Sequence, residues 1–225
     1  RFQSPPCPCR RLQVDAMSRI TATVHAGRAF VAWLVVLAVG FLYLIRYEMT
    51  PGRSESAPPP KFPTGCGVAT SDDRPTLVMF VHPCTRASVE QLARVFAQQG
   101  TPVNRCVVFL QPSTMPETWT QTDLWRSVGR IPEVQLLIDQ DGEVASAFGV
   151  GTSGHVLFDD AAGVLRFQGG ITASRGHHGG NYGHAALVSL MNGHVPERKS
   201  TPVFGCALTR NSASISRDCS RCPTP

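Results

Sequence analysis

Ala29–Ile45 reads AFVAWLVVLAVGFLYLI, 17 residues without a charge. No face of a helix made from it is polar, so a helix here has no side to show to water. A bilayer span needs ~20 residues, and Arg28 and Arg46 at the two ends can extend their heads to the interfaces. Trp33, Tyr43 and Tyr47 suit interfacial depth. No small-residue cleavage site follows closely, because Arg46-Tyr47-Glu48-Met49 comes next. The run therefore reads as an uncleaved signal-anchor, a single transmembrane helix over 29–45. Whatever folds as a soluble domain lies on one side of it.

The flanks give the orientation. Arg10, Arg11, Arg19 and Arg28 precede the run, and Arg46, Arg53 and Lys61 follow it. The small excess of positive charge on the N-terminal side keeps that end cytoplasmic. The expected location is the inner (cytoplasmic) membrane, with the soluble domain facing the periplasm or cell exterior. That is the oxidising side, where paired cysteines persist. Residues 1–28 read as an N-terminal tail; Met17 is a candidate translation start, so nothing is built on Cys7 and Cys9 before it. Residues 46–70 hold five prolines with serine and glycine, which reads as a stiff, extended spacer.

The remainder divides into a domain over 71–195 and a C-terminal tail over 196–225. Thr76–Val81 is almost wholly apolar and reads as a strand covered on both faces. Ser88–Gln99 has helical spacing, with Val89, Leu92, Val95 and Phe96 on one face. Asn104–Leu110 is a second buried strand, 114–128 a helix, and Glu133–Asp139 a third strand ended by Asp141-Gly142. A short helix follows. His155–Asp159 and Val164–Gln168 form a hairpin through Ala162-Gly163. Asn181 is the cap of a last helix reaching about Met191. The order β-α-β-α-β-α-β-β-α matches an α/β thioredoxin-like mixed sheet flanked by helices.

Between the first strand and its helix stands His82-Pro83-Cys84-Thr85-Arg86. A cysteine at a helix N-terminus meets the positive end of the helix dipole, which favours thiolate. Arg86 adds charge, and His82 does so when protonated. Cys84 is thus the candidate nucleophile, with Arg86 and His82 as its catalytic neighbours. An inert relic kept for packing is the competing reading. A lone thiol needs a resolving partner. Of the eight cysteines, Cys106 lies in a buried strand pattern and reads as core. Cys206 in TPVFGCAL is the first candidate resolving cysteine and Cys66 the second; a structural Cys66–Cys206 bond is also open. Cys7 and Cys9 precede Met17, and Cys219-Ser-Arg-Cys222 sits in a polar tail with no second CxxC for zinc.

The chain resembles membrane-anchored thioredoxin-like proteins of the TlpA and cytochrome-biogenesis type. Within that group it is most like the small bacterial family named RedB. The resemblance spans roughly 70–208. It rests on His82-Pro83-Cys84-Thr85-Arg86-Ala87-Ser88, Thr152-Ser153-Gly154-His155-Val156-Leu157, Gly169-Gly170-Ile171-Thr172, Ser174-Arg175-Gly176-His177 and Thr201-Pro202-Val203-Phe204-Gly205-Cys206. Members resemble His-Pro-x-Cys-Pro-Cys-Thr-Arg at the first site. Here the segment is shorter, and Cys84 aligns with the second cysteine. Ser153-Gly154 stands where thioredoxins carry a cis-proline. The resemblance implies thiol redox chemistry, with protein thiols or a redox partner protein as counterpart.

The alternative is a redox-inactive binding or assembly module on the same fold. His177, His178 and His184 lie in the glycine-rich loop Gly169–His184. With Cys84 they would be similar to the Cys/His copper sites of related cytochrome-oxidase assembly proteins. Without a metal the loop is a solvated connection, and no cofactor is expected. A net charge of +5 without a basic stripe gives no nucleic-acid interface. Asp139, Asp141, Asp159 and Asp160 sit in turns rather than as an acid/base pair. Thr85 follows the cysteine, unlike the arrangement of one-cysteine peroxide reductases.

Overall fold

A computed structural model describes residues 8–52, 57–63, 65–71, 73–97, 101–177 and 179–208, with side chains of the first helix from residue 22 onward. Two compact units result, Arg1–Tyr47 and Glu48–Pro225. In the first, helix α1 runs over Pro8–Glu48, starting well upstream of the apolar run. Its Ala22–Glu48 portion has a hydropathy of 2.2 and none of it is buried. By length and composition it can cross a membrane.

The second unit is built on one six-stranded sheet in the order β3-β2-β1-β4-β5-β6. The strands are β1 Thr76–Val81, β2 Asn104–Gln111, β3 Val134–Gln140, β4 His155–Asp159, β5 Leu165–Gly170 and β6 Ser200–Thr201. Strands β1, β2 and β3 run parallel, while β4 is antiparallel to β1 and to β5. Helices α2 Arg86–Ala97, α3 Asp123–Val128, α4 Glu143–Ala147 and α5 Tyr182–Met191 complete the unit. This is a thioredoxin-like mixed sheet flanked by helices.

Every residue of β1 is buried, as its unbroken apolar run requires. Leu77, Met79 and Val81 join Leu92, Val95 and Leu187 in one core layer. Val78 and Phe80 face the other layer, with Phe148, Leu157 and Leu208. Strand alternation divides one sequence between two cores.

Four expectations change. The helix read over 114–128 is a 3-10 turn, Glu117–Trp119, followed by the separate α3. Thr122 is extended at φ −76° and ψ 172°, and its side chain accepts from the Trp125 amide, so it caps a new helix. The hairpin's second strand reaches Gly170, two residues beyond the periodicity, and β6 pairs with it from within the expected tail. The proline spacer is not wholly extended away from the domain. The Phe62 ring meets Phe148 edge-on at 5.1 Å, and Cys66 and Val68 pack on the same layer. Helix α2 begins at Arg86, two residues early; the expected stop at Gly100 lies outside the described residues.

Candidate functional site

Cys84 is exposed in the two-residue turn between β1 and α2. The turn fills its own hydrogen bonds. The Cys84 amide donates to His82 Nδ1 at 3.3 Å. The Thr85 amide donates to the His82 carbonyl at 2.8 Å, and the Arg86 amide to the Cys84 carbonyl at 2.9 Å. These three amides are therefore taken within the turn. His82 Nδ1 is thus the acceptor of a hydrogen bond within its own turn. The ring is buried and stands edge-on to Trp119, with centroids 5.2 Å apart. Arg86 is exposed, and its charge is among those that hold the Asp123 carboxyl below its ordinary range, after the bonded Arg126.

Ser153 fixes this turn from behind. It is fully buried, and its hydroxyl accepts from the His82 amide at 2.7 Å while bonding the Thr85 hydroxyl. Its main chain faces the other way: the Ser153 amide donates to the Cys206 carbonyl at 2.8 Å. Gly154 adopts φ +86° and donates to the Phe80 carbonyl at 2.7 Å. The segment around Cys206 is thereby strapped across the base of the Cys84 turn. Thr152 bridges Ala207, the Leu208 amide donates to the Gly151 carbonyl at 3.0 Å, and the Arg175 guanidinium donates to the Gly205 carbonyl. All peptide bonds among the described residues are trans, Ser153-Gly154 included.

Cys66, Cys106 and Cys206 are thiols outside any disulfide, so neither Cys206 nor Cys66 is joined to Cys84, and no Cys66–Cys206 bond exists. Cys206 shares the Ser153 network with Cys84; Cys66 belongs to a different group, described below. The side chains of Cys7, Cys9, Cys219 and Cys222 lie outside the described residues.

The histidine loop separates as well. Asn181 caps α5 as its residue type requires, its side chain accepting from the His184 amide at 2.9 Å. His184 lines a cavity of about 790 Å³ with Tyr182, Arg198 and Phe204. The Arg198 guanidinium lies 3.8 Å over the Tyr182 ring, a cation–π contact. His178 lies outside the described residues. Among the described residues, His177 included, no three His, Cys, Asp or Glu side chains gather as a metal would need. Asp139 serves the fold: its carboxylate accepts from the Val144 and Ala145 amides at 2.8 and 3.0 Å.

Ser153, Thr85 and Trp119 are the site residues that spacing alone misses. Ser153 stands in a motif position, but its two-sided bonding depends on the strap returning from fifty-odd residues away.

No family model matches the chain, and no curated protein matches it. Solved structures do. An uncharacterized conserved protein from Geobacillus kaustophilus is 21% identical over 73% of this chain and 94% of its own, with a TM-score of 0.48. Mycobacterium tuberculosis DsbF, in mixed oxidised and reduced forms, is 19% identical over 41% of this chain and 67% of its own, with a TM-score of 0.31. A secreted M. tuberculosis disulfide oxidoreductase homologous to E. coli DsbE is 17% identical over 41% of this chain and 66% of its own, with a TM-score of 0.32.

Proposed function

We propose that this chain is a membrane-anchored thioredoxin-like protein of the RedB kind. It exchanges thiols and disulfides on the extracytoplasmic side through Cys84. One observation carries the reading: an exposed cysteine in the turn before α2, held from behind by Ser153.

The exchange is a two-electron transfer. In the oxidised chain Cys84 is joined to a second cysteine; a thiolate of a partner protein attacks the Cys84 sulfur, and that second cysteine leaves as a thiolate. A second partner thiolate then attacks its own chain's sulfur in the mixed disulfide and releases Cys84 as thiolate. The partner loses two electrons and two protons and gains a disulfide; this chain gains two thiols. The helix dipole and Arg86 stabilise the leaving Cys84 thiolate, and His82 keeps the turn in shape. Cys206, tied to the same serine, is the candidate for a second thiol in later exchange.

The test uses the full chain in detergent with a dithiol peptide as reductant. Its conversion to the disulfide should be stoichiometric with the protein and lost in Cys84→Ser. Reduced Cys84 should react with iodoacetamide at pH 6 at least tenfold faster than free cysteine. Equal peptide oxidation by Cys84→Ser sinks the reading and leaves a binding module.

A further inference from the structure

Cys66 and Cys106 are 40 positions apart, and the fold brings them together away from Cys84. Cys106 sits on β2 opposite Gln135 of β3, and residues directly opposite share a face of the sheet. The Gln135 side chain is a clamp. Its Oε1 accepts from the Ala69 amide at 2.9 Å, and its Nε2 donates to the Gly67 carbonyl at 2.8 Å. The residues just after Cys66 are thus fixed over the neighbour of Cys106. Cys66 itself packs on the apolar layer that contains Cys106, and its thiol donates to the Pro63 carbonyl at 2.9 Å. Neither is bonded to another cysteine. Burial, and then the nearby Cys66 sulfur, push the Cys106 thiol up to about 12. Cys106 pairs with Val78 early in β1, whereas Cys84 follows the end of that strand, so the two sulfur sites are separate.

We propose that Cys66 and Cys106 are a second redox pair, whose disulfide fastens the proline-rich connection to the sheet. Cys66 is half-buried and Cys106 fully buried, so an oxidant reaches Cys66 first. The oxidant is a low-molecular-weight disulfide. The Cys66 thiolate attacks it, forming a mixed disulfide and expelling one small thiol. Cys106 gives up its proton to solvent and attacks the Cys66 sulfur, expelling the second small thiol. Two protein thiols lose two electrons and two protons, and the small disulfide becomes two thiols. Closure waits on the Cys106 proton, so its rate should rise about tenfold per pH unit between pH 7 and 9.

The experiment incubates the full chain in detergent with oxidised glutathione, quenches with acid, and maps non-reduced peptides by mass spectrometry. The expected product is a cross-linked pair of peptides carrying Cys66 and Cys106. Cys106→Ser should stop at glutathione on Cys66, and Gln135→Ala should slow wild-type closure several-fold. Persistent glutathione on Cys66 beside an alkylatable Cys106 in the wild-type chain overturns the proposal. So does either sulfur joined to a different cysteine. Neither result bears on the Cys84 exchange, which is read from a different peptide.

Discussion

The Ser153 hydroxyl accepts from the main-chain amide of His82 at 2.7 Å, and both groups are buried. Ser153→Ala leaves that amide without its acceptor and the Thr85 hydroxyl without its partner. An unsatisfied buried donor costs about 1–3 kcal/mol. The urea midpoint should fall accordingly, and reduced Cys84 should be alkylated at a different rate because its turn is no longer fixed. A variant with wild-type stability and Cys84 reactivity would remove Ser153 from the site.

Two buried groups on β4 titrate with opposite signs. His155 has no hydrogen-bond partner for either ring nitrogen among the described residues, and burial lowers it to about 4 from 6.5. Its stabilising contribution is present above pH 6.5 and is lost as pH falls toward 4. Asp159 is raised from 3.8 to about 6, first by burial and then by Asp160, although the Phe62 amide bonds it. Its contribution is present below pH 3.8 and is lost as pH rises toward 6. The two slopes oppose each other between about pH 4 and 6. Relative to wild type, His155→Leu should gain stability on acidification through that window, and Asp159→Asn should lose it. Urea midpoints at pH 4.5 and 6.5 check this; parallel shifts in both variants would refute the assignment.

The sheet was readable because its strands are apolar runs bounded by proline, glycine and aspartate. Thr76–Val81 and His155–Asp159 come out at the expected positions, since burial on both faces leaves no other use for such residues. The Asn181 cap was equally local. What was not readable depends on distant partners. Thr120 turns its hydroxyl to Gln111, which breaks the helix expected through 114–128. Cys66 looks like a neighbour for Cys206 by position beside the domain, yet Gln135 draws its loop to Cys106. The bond from the Cys84 amide to His82 Nδ1 is likewise one that no spacing encodes.

Asp139 caps α4 although the residue at the cap position is Gly142, which offers no side chain. Burial raises the Asp139 carboxyl, while the Ala145 and Val144 amides pull it back. Asp139→Ala should cost about 0.5–2 kcal/mol, the usual loss of a capping side chain. Asp139→Asn should recover part of it, because the amide oxygen still accepts one of the two bonds. Denaturant unfolding of the three chains gives the order; equal midpoints for Ala and wild type would show that the cap contributes nothing.

The strap that carries Cys206 depends on a missing side chain. A Cβ on Gly205 would lie 1.9 Å from the Ser153 carbonyl oxygen and 2.8 Å from its carbon. Both are main-chain atoms of a fully buried residue, so they cannot swing aside as a flexible side chain would. Gly205→Ala must therefore push the strap outward and break the bond from the Ser153 amide to the Cys206 carbonyl. Cys206, half-buried in the wild-type chain, should then be alkylated several-fold faster, with a lower urea midpoint. Gly163→Ala is the control for the mere loss of a glycine. It sits in an open turn where a Cβ meets nothing within 4 Å, though its φ of +70° carries strain of its own, so it should lower the midpoint without touching the Cys206 rate. If Gly205→Ala leaves that rate unchanged, the strap is not held through Ser153, and Cys206 loses its link to the Cys84 turn.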